Sequence, residues 1–265
     1  MTPSTSNNIL RRLLLAGTGI ALIAFSGCLQ RGDTTGSVNP SAGDSAIASD
    51  QNGNIAEATR YWREKFESDP SDKSAGINLA RHLRASGRAG EAVGPMRELS
   101  SRYPQDATVM SELGKTLAAS GSLDDALRIL EQASSTDDSN WKLHSVRGTV
   151  LDQMSRSDEA QAAYQTALQI APGEPSILSN IGLSYALSGD LVRAEHALRQ
   201  AIDHPRATGK VRENLVLVLG LQGRFEEAEQ LAAEGQMAPA AVASNTTYLR
   251  NMMSQPDRWS ELQQN

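Results

Sequence analysis

Four histidines, one cysteine and scattered carboxylates are the residues with which this chain could do acid–base, nucleophilic or metal chemistry. His82, His144, His196 and His204 stand far apart, and none falls in an HExxH or comparable ligand spacing. Asp124-Asp125 and Asp137-Asp138 are paired acids, but they sit where helices start and turns form, which suits capping better than metal binding. The one Gly-x-Gly, Gly17-Thr18-Gly19, lies inside an apolar N-terminal stretch and is no phosphate cradle. No nucleophile can be matched with a base. The expectation is a non-catalytic protein with no cofactor, no metal and no small-molecule substrate.

Cys28 is different, because of what precedes it. Arg11-Arg12 are followed by an uncharged run, Leu13–Ser26, the pattern of a positive n-region and an apolar core in a secretory signal. That run is shorter than the roughly 20 residues a membrane-spanning helix needs. A lone cysteine cannot form an internal disulfide. The ending Phe25-Ser26-Gly27-Cys28 resembles the lipobox of bacterial lipoproteins, with two small residues before the cysteine and Phe25 in place of the usual Leu. The resemblance implies cleavage after residue 27 and lipidation of Cys28. Several acyl chains anchor stably, whereas one binds marginally at about 0.8 kcal/mol per buried CH₂. Leu29, where an inner-membrane retention signal would carry Asp, points to the outer membrane of a Gram-negative envelope, facing the periplasm.

The elements that follow are a tether and an array. Residues 28–54 are rich in Gly, Ser, Thr, Asp and Asn and hold no helical or strand period, so a flexible linker is expected. At roughly 5–6 Å × √n such a leash would reach about 25–30 Å. Beyond it, Ala58, Ala92, Ala126, Ala160, Ala194 and Ala228 recur every 34 residues. Small residues at a fixed 34-residue period, with apolar partners at three- and four-residue spacing, resemble the tetratricopeptide repeat (TPR). With each alanine at position 20, glycines fall on the turn position at Gly87, Gly121, Gly189 and Gly223, where Ser155 is the exception. Gly114 and Gly182 occupy position 8, which should let the two helices of a pair approach opposite the alanine. Pro95 interrupts one helical run, and a kink or delayed start is expected there. Arg147 puts a charge on a core position and should extend outward along its alkyl stem. His144 falls on a packing position and is expected to be satisfied internally.

The resemblance implies an all-α TPR superhelical solenoid of antiparallel helix pairs, about five to six repeats over residues 55–253 with a C-terminal capping helix. A flexible tail, 254–265, follows. It also implies that first-helix residues face a partner-binding groove: Ile77, Arg81 and Arg84; Ser111 and Lys115; Ser145 and Asp152; Ser179 and Leu183; Lys210 and Leu217. That groove is basic towards its N-terminal end and more apolar near Leu183, Leu217 and Leu221, the last three being covered by the C-terminal helix or left for a partner. The formal net charge of the chain is −6, and −8 without residues 1–27, which remove two arginines and no acid. An acidic protein is not expected to bind nucleic acid, which requires basic residues to displace counterions. Only Asn180 and Lys210 match the carboxylate clamp of chaperone-binding TPR domains, so that specificity is not expected.

A signal with a lipobox, a polar tether and this array together resemble the TadD-like assembly lipoproteins of the tight-adherence (Flp) pilus. The segment Ala243-Ser244-Asn245-Thr246-Thr247-Tyr248-Leu249-Arg250-Asn251-Met252 resembles that family's C-terminus. The resemblance implies a pilotin-like protein partner of the secretin subunit. A periplasmic TPR scaffold for another envelope complex stays open: type IV pilus biogenesis, outer-membrane-protein assembly, or a cell-wall or polysaccharide enzyme.

Overall fold

The computed structural model describes residues 55–235 together with Met237, Thr247, Leu249 and Arg250. Residues 1–54, and so the signal, Cys28 and the tether, lie outside the described residues, as do residues 254–265 and most of the expected capping helix. Among the described residues the structure is helical throughout, with eleven helices joined by short turns. They are α1 (Ile55–Ser68), α2 (Lys73–Ala85), α3 (Ala89–Arg102), α4 (Ala107–Ala119), α5 (Leu123–Thr136), α6 (Trp141–Gln153), α7 (Ser157–Ile170), α8 (Pro175–Leu187), α9 (Leu191–Ile202), α10 (Gly209–Leu221) and α11 (Phe225–Glu234). The chain divides into two compact units, one ending at Val150 and one running on from Leu151.

The two kinds of helix start differently, and this separates charge along the chain. Three first helices, α2, α4 and α8, are capped by a carboxylate that sits just outside them, whereas α10 follows Thr208 with no side-chain cap. Asp72 accepts from the Ala75 N–H, and Asp106 accepts from the Thr108 and Val109 N–H groups. Second helices have no side-chain cap at α3, α5, α7 or α11, and instead carry acids inside the first turn: Glu91, Asp124-Asp125, Asp158-Glu159 and Glu226-Glu227. Those charges meet the positive end of the helix dipole. The acids of this protein are therefore concentrated on second helices.

First helices end in one repeated turn. The N–H groups of Arg88, Ser122, Arg156, Asp190 and Arg224 reach back five residues to the carbonyls of Leu83, Leu117, Leu151, Tyr185 and Leu219. This closure puts the preceding residue in the left-handed region. Glycine takes that place at Gly87, Gly121, Gly189 and Gly223, with φ between 73° and 88°, while Ser155 holds φ 65° with a side chain attached. A left-handed non-glycine residue costs about 1–2 kcal/mol. Ser155→Gly should therefore raise unfolding stability by about 1 kcal/mol, less what glycine adds to unfolded-chain entropy. Urea denaturation checks this, and a destabilised variant would show that the Ser155 side chain matters more than the strain.

All six periodic alanines are fully buried. In the first unit Leu79, Leu83, Met96, Leu99, Leu113, Leu117 and Leu130 are buried as well. In the second, Ala194, Leu198, Ala201, Leu215, Leu219 and Ala228 belong to one apolar cluster, with Leu178 and Tyr185 partly buried against it. The position-8 glycines do make the close approach, but chiefly to a leucine rather than to the alanine. A Cβ on Gly114 would lie 2.8 Å from Leu130 Cγ, and one on Gly182 would lie 2.6 Å from Leu198 Cγ and 3.1 Å from the Ala194 carbonyl oxygen. The delayed start expected at Pro95 does not occur. Helix α3 runs through it from Ala89 to Arg102, with open space beside Gly94. Arg147 is half-buried.

Candidate functional site

The sequence places Arg81, Arg84, Ser111 and Lys115 on α2 and α4, and the structure gathers the three cations around a carboxylate the sequence did not single out. Glu112 is 4% exposed, and its Oε2 accepts from Arg84 Nη2 at 2.6 Å. Its Oε1 accepts from Lys115 Nζ at 2.9 Å and lies 3.5 Å from Arg81 Nη2. Arg84 also donates from Nη1 to Thr116 Oγ1 at 2.8 Å, and Thr116 donates in turn to the Glu112 backbone carbonyl. These bonds tie α2 to α4, because Arg84 and Glu112 stand 28 residues apart. Burial alone would push the Glu112 carboxyl up. The charges of Lys115 and Arg84 and their hydrogen bonds outweigh it and hold the group at about 2. One buried anion thus organises three cations, of which Arg81 and Lys115 remain 54% and 43% exposed. A signal for Glu112 existed in the sequence: it is the sole acid within α2 and α4, with Lys115 three residues on.

The other candidates of this unit lie inward. Ile77, Ser111 and Ser145 are buried, and the Ser111 hydroxyl has no hydrogen-bond partner. His144 is buried and bonds through Nε2 to the Asp138 carbonyl at 2.8 Å. On the second helices the cations are paired with acids one repeat on: Arg63 with Glu91 at 3.0 Å, and Arg97 with Asp125 at 2.8 Å. Pairs this exposed contribute little stability.

In the second unit, Asp152 is buried and committed. It accepts from Tyr164 Oη and from Ser184 Oγ, each at 2.9 Å, and Gln161 Nε2 donates to that Ser184 at 2.8 Å. Ser179 is buried and accepts from Asn214 Nδ2 at 2.9 Å, so this position joins neighbouring first helices. Lys210 is exposed beside Glu213, while Leu183 and Leu217 are half-buried. Leu221 is buried, and so is Leu249, whose Cδ1 would lie 2.8 Å from a Cβ on Gly220. Arg250 stacks 4.9 Å from the Phe225 ring and lies 3.7 Å from Glu229. The described part of the C-terminal segment therefore packs on α10 and α11.

Histidines outside the core serve local structure: His196 bonds with Gln200, and His204 Nδ1 accepts from the Arg206 N–H. Among the described residues no three His, Cys, Asp or Glu side chains come together as metal ligands, and no helix is long and apolar enough to cross a membrane. What the molecule offers is a set of paired helices with a charged first-helix face.

A profile of the tetratricopeptide repeat-like domain matches residues 14–181, and a tetratricopeptide repeat profile matches residues 210–234. The chain belongs to the tetratricopeptide repeat-like family. No curated protein matches it. Among solved structures, this TPR protein is similar to a thermophilic TPR protein of Thermus thermophilus, at 22% identity and a TM-score of 0.57. That likeness covers 66% of this chain and 95% of the other. It is also similar to a tetratricopeptide repeat protein of Parabacteroides merdae, at 12% identity and a TM-score of 0.54, covering 82% and 87% of the two chains. Identities this low speak for the fold alone. The fold is that of stacked TPR helix pairs, a scaffold that generally binds protein partners.

Proposed function

We propose that this TPR protein is a lipid-anchored scaffold of the Gram-negative envelope, held at the outer membrane through Cys28 and facing the periplasm. Its role in this reading is that of a pilotin-like factor for the secretin of a tight-adherence (Flp) pilus. The observation that carries the reading is a TPR array placed behind a lipobox-like Phe25-Ser26-Gly27-Cys28 and a polar tether. The likeness of residues 243–252 to the TadD-like C-terminus narrows it to that pilus. An anchored pilotin works by holding its client: the lipid fixes one end, the tether supplies reach, and the rigid helix pairs present a fixed pattern of side chains. Rigidity keeps the ordering cost of binding low.

Cys28→Ser tests the anchor in cells. The variant should move from the membrane to the soluble periplasmic fraction, and secretin multimers in the outer membrane should fall with it. Unchanged membrane retention would overturn the lipid anchor.

A further inference from the structure

Helices α2 and α4, first helices of the unit ending at Val150, are predominantly cationic. Helices α2 and α4 contain Lys73, Arg81, Arg84 and Lys115 against Glu112 alone, whereas α1, α3 and α5 mix both signs in neighbouring pairs. Lys73 is engaged by the Asp106 cap at 2.7 Å. The other three cations converge on Glu112, which can neutralise only one of them. Two positive charges remain unmatched in a chain whose overall charge is −6.

The geometry divides labour within the cluster. Arg84, 17% exposed, is fixed by the Glu112 carboxylate and the Thr116 hydroxyl, and serves as the base of the site. Arg81 and Lys115 reach Glu112 with one nitrogen each, at 3.5 and 2.9 Å, and leave their other donors to solvent. Both side chains are ordered without being used up. Such preorganised donors suit carboxylates, which take charge-assisted hydrogen bonds from arginine and lysine alike.

We propose that the α2–α4 face docks an acidic, extended segment of the protein partner, with its carboxylates taken by Arg81 and Lys115. The proposal rests on the scaffold reading above and names the partner's chemistry. Charge complementarity selects this occupant. A basic segment would face two uncompensated cations, and an apolar one would strip water from both without replacing their hydrogen bonds.

The experiment uses the full chain in detergent and a fluorescein-labelled octaglutamate peptide, with octalysine and a Gly-Ser octapeptide as controls. Fluorescence anisotropy should show octaglutamate binding that weakens as salt rises, and no binding of either control. Arg81→Gln/Lys115→Gln should weaken octaglutamate binding about tenfold or more. Arg97→Gln/Arg128→Gln, on second helices of the same unit, should leave it within about twofold. Circular dichroism melts confirm that each variant is folded. If octalysine binds as well as octaglutamate, if octaglutamate fails to bind, or if the α2–α4 variant binds like the wild type, the acidic-segment site is wrong. Because this assay uses purified protein and peptide, its failure refutes the site while leaving the scaffold reading to stand or fall on capture from envelopes.

Discussion

Glu112→Gln should destabilise the protein by about 3 kcal/mol at neutral pH, and the loss should shrink as the solution is acidified. The carboxyl sits at about 2 in the folded protein against an ordinary value of 4.5. Each unit of displacement corresponds to about 1.4 kcal/mol, so the shift amounts to about 3 kcal/mol. Because the folded value is the lower one, this stabilisation is complete above about pH 4.5. It is lost as pH falls through about 2, below which both states hold the proton. Removing one member of a buried, hydrogen-bonded charge cluster costs about the same by direct comparison. In Glu112→Gln the Arg84, Lys115 and Arg81 cations would face one another without their anion. Urea denaturation at pH 7 and pH 3 checks both parts. Equal stabilities at pH 7, or a gap that does not narrow at pH 3, would mean that Glu112 does not hold the cluster together.

Gly182→Leu should cost about 2 kcal/mol net, through packing rather than charge. The added Cβ alone would meet Leu198 Cγ at 2.6 Å and a backbone carbonyl at 3.1 Å, and a carbonyl cannot rotate away as a side chain can. Overpacking of this kind costs about 3 kcal/mol, partly offset by about 1 kcal/mol of helix propensity gained on losing glycine. Gly90→Ala, in α3, is the control, since open space surrounds a Cβ there, no proline follows it and only the propensity gain applies. Thermal melts of the two should move in opposite directions. A Gly182→Leu variant as stable as the wild type would mean α8 and α9 do not pack as closely as the structure has them.

How much of this the sequence revealed depends on the kind of information each residue carries. The 34-residue alanines located the helix pairs because a close helix contact admits only small side chains, and all six are buried. Helix α1 runs from Ile55 to Ser68, the span its apolar spacing and Pro70 imply. Less legible was which first-helix residues look outward. Ser111, Ser145 and Ser179 share one repeat position, and the structure buries all three, since small hydroxyls fit where neighbouring first helices meet. The Ser179–Asn214 bond shows that contact directly. Asp152 was legible as an acid on the face but not as the acceptor for Tyr164 and Ser184, because nothing local marks a partner 12 or 32 residues away. Glu112 escaped attention for a related reason. A lone glutamate in a helix looks like solvent-facing charge until the cations of the preceding repeat are folded against it.

The scaffold's partner is the central question, and capture from solubilised envelopes asks it most directly. The full chain, tagged at its C-terminus and expressed in cells that make the pilus, should recover the secretin subunit. Recovery should fall when Arg81 and Lys115 are both changed to Gln. An eluate without secretin, from cells shown to contain it, would contradict the pilotin-like assignment.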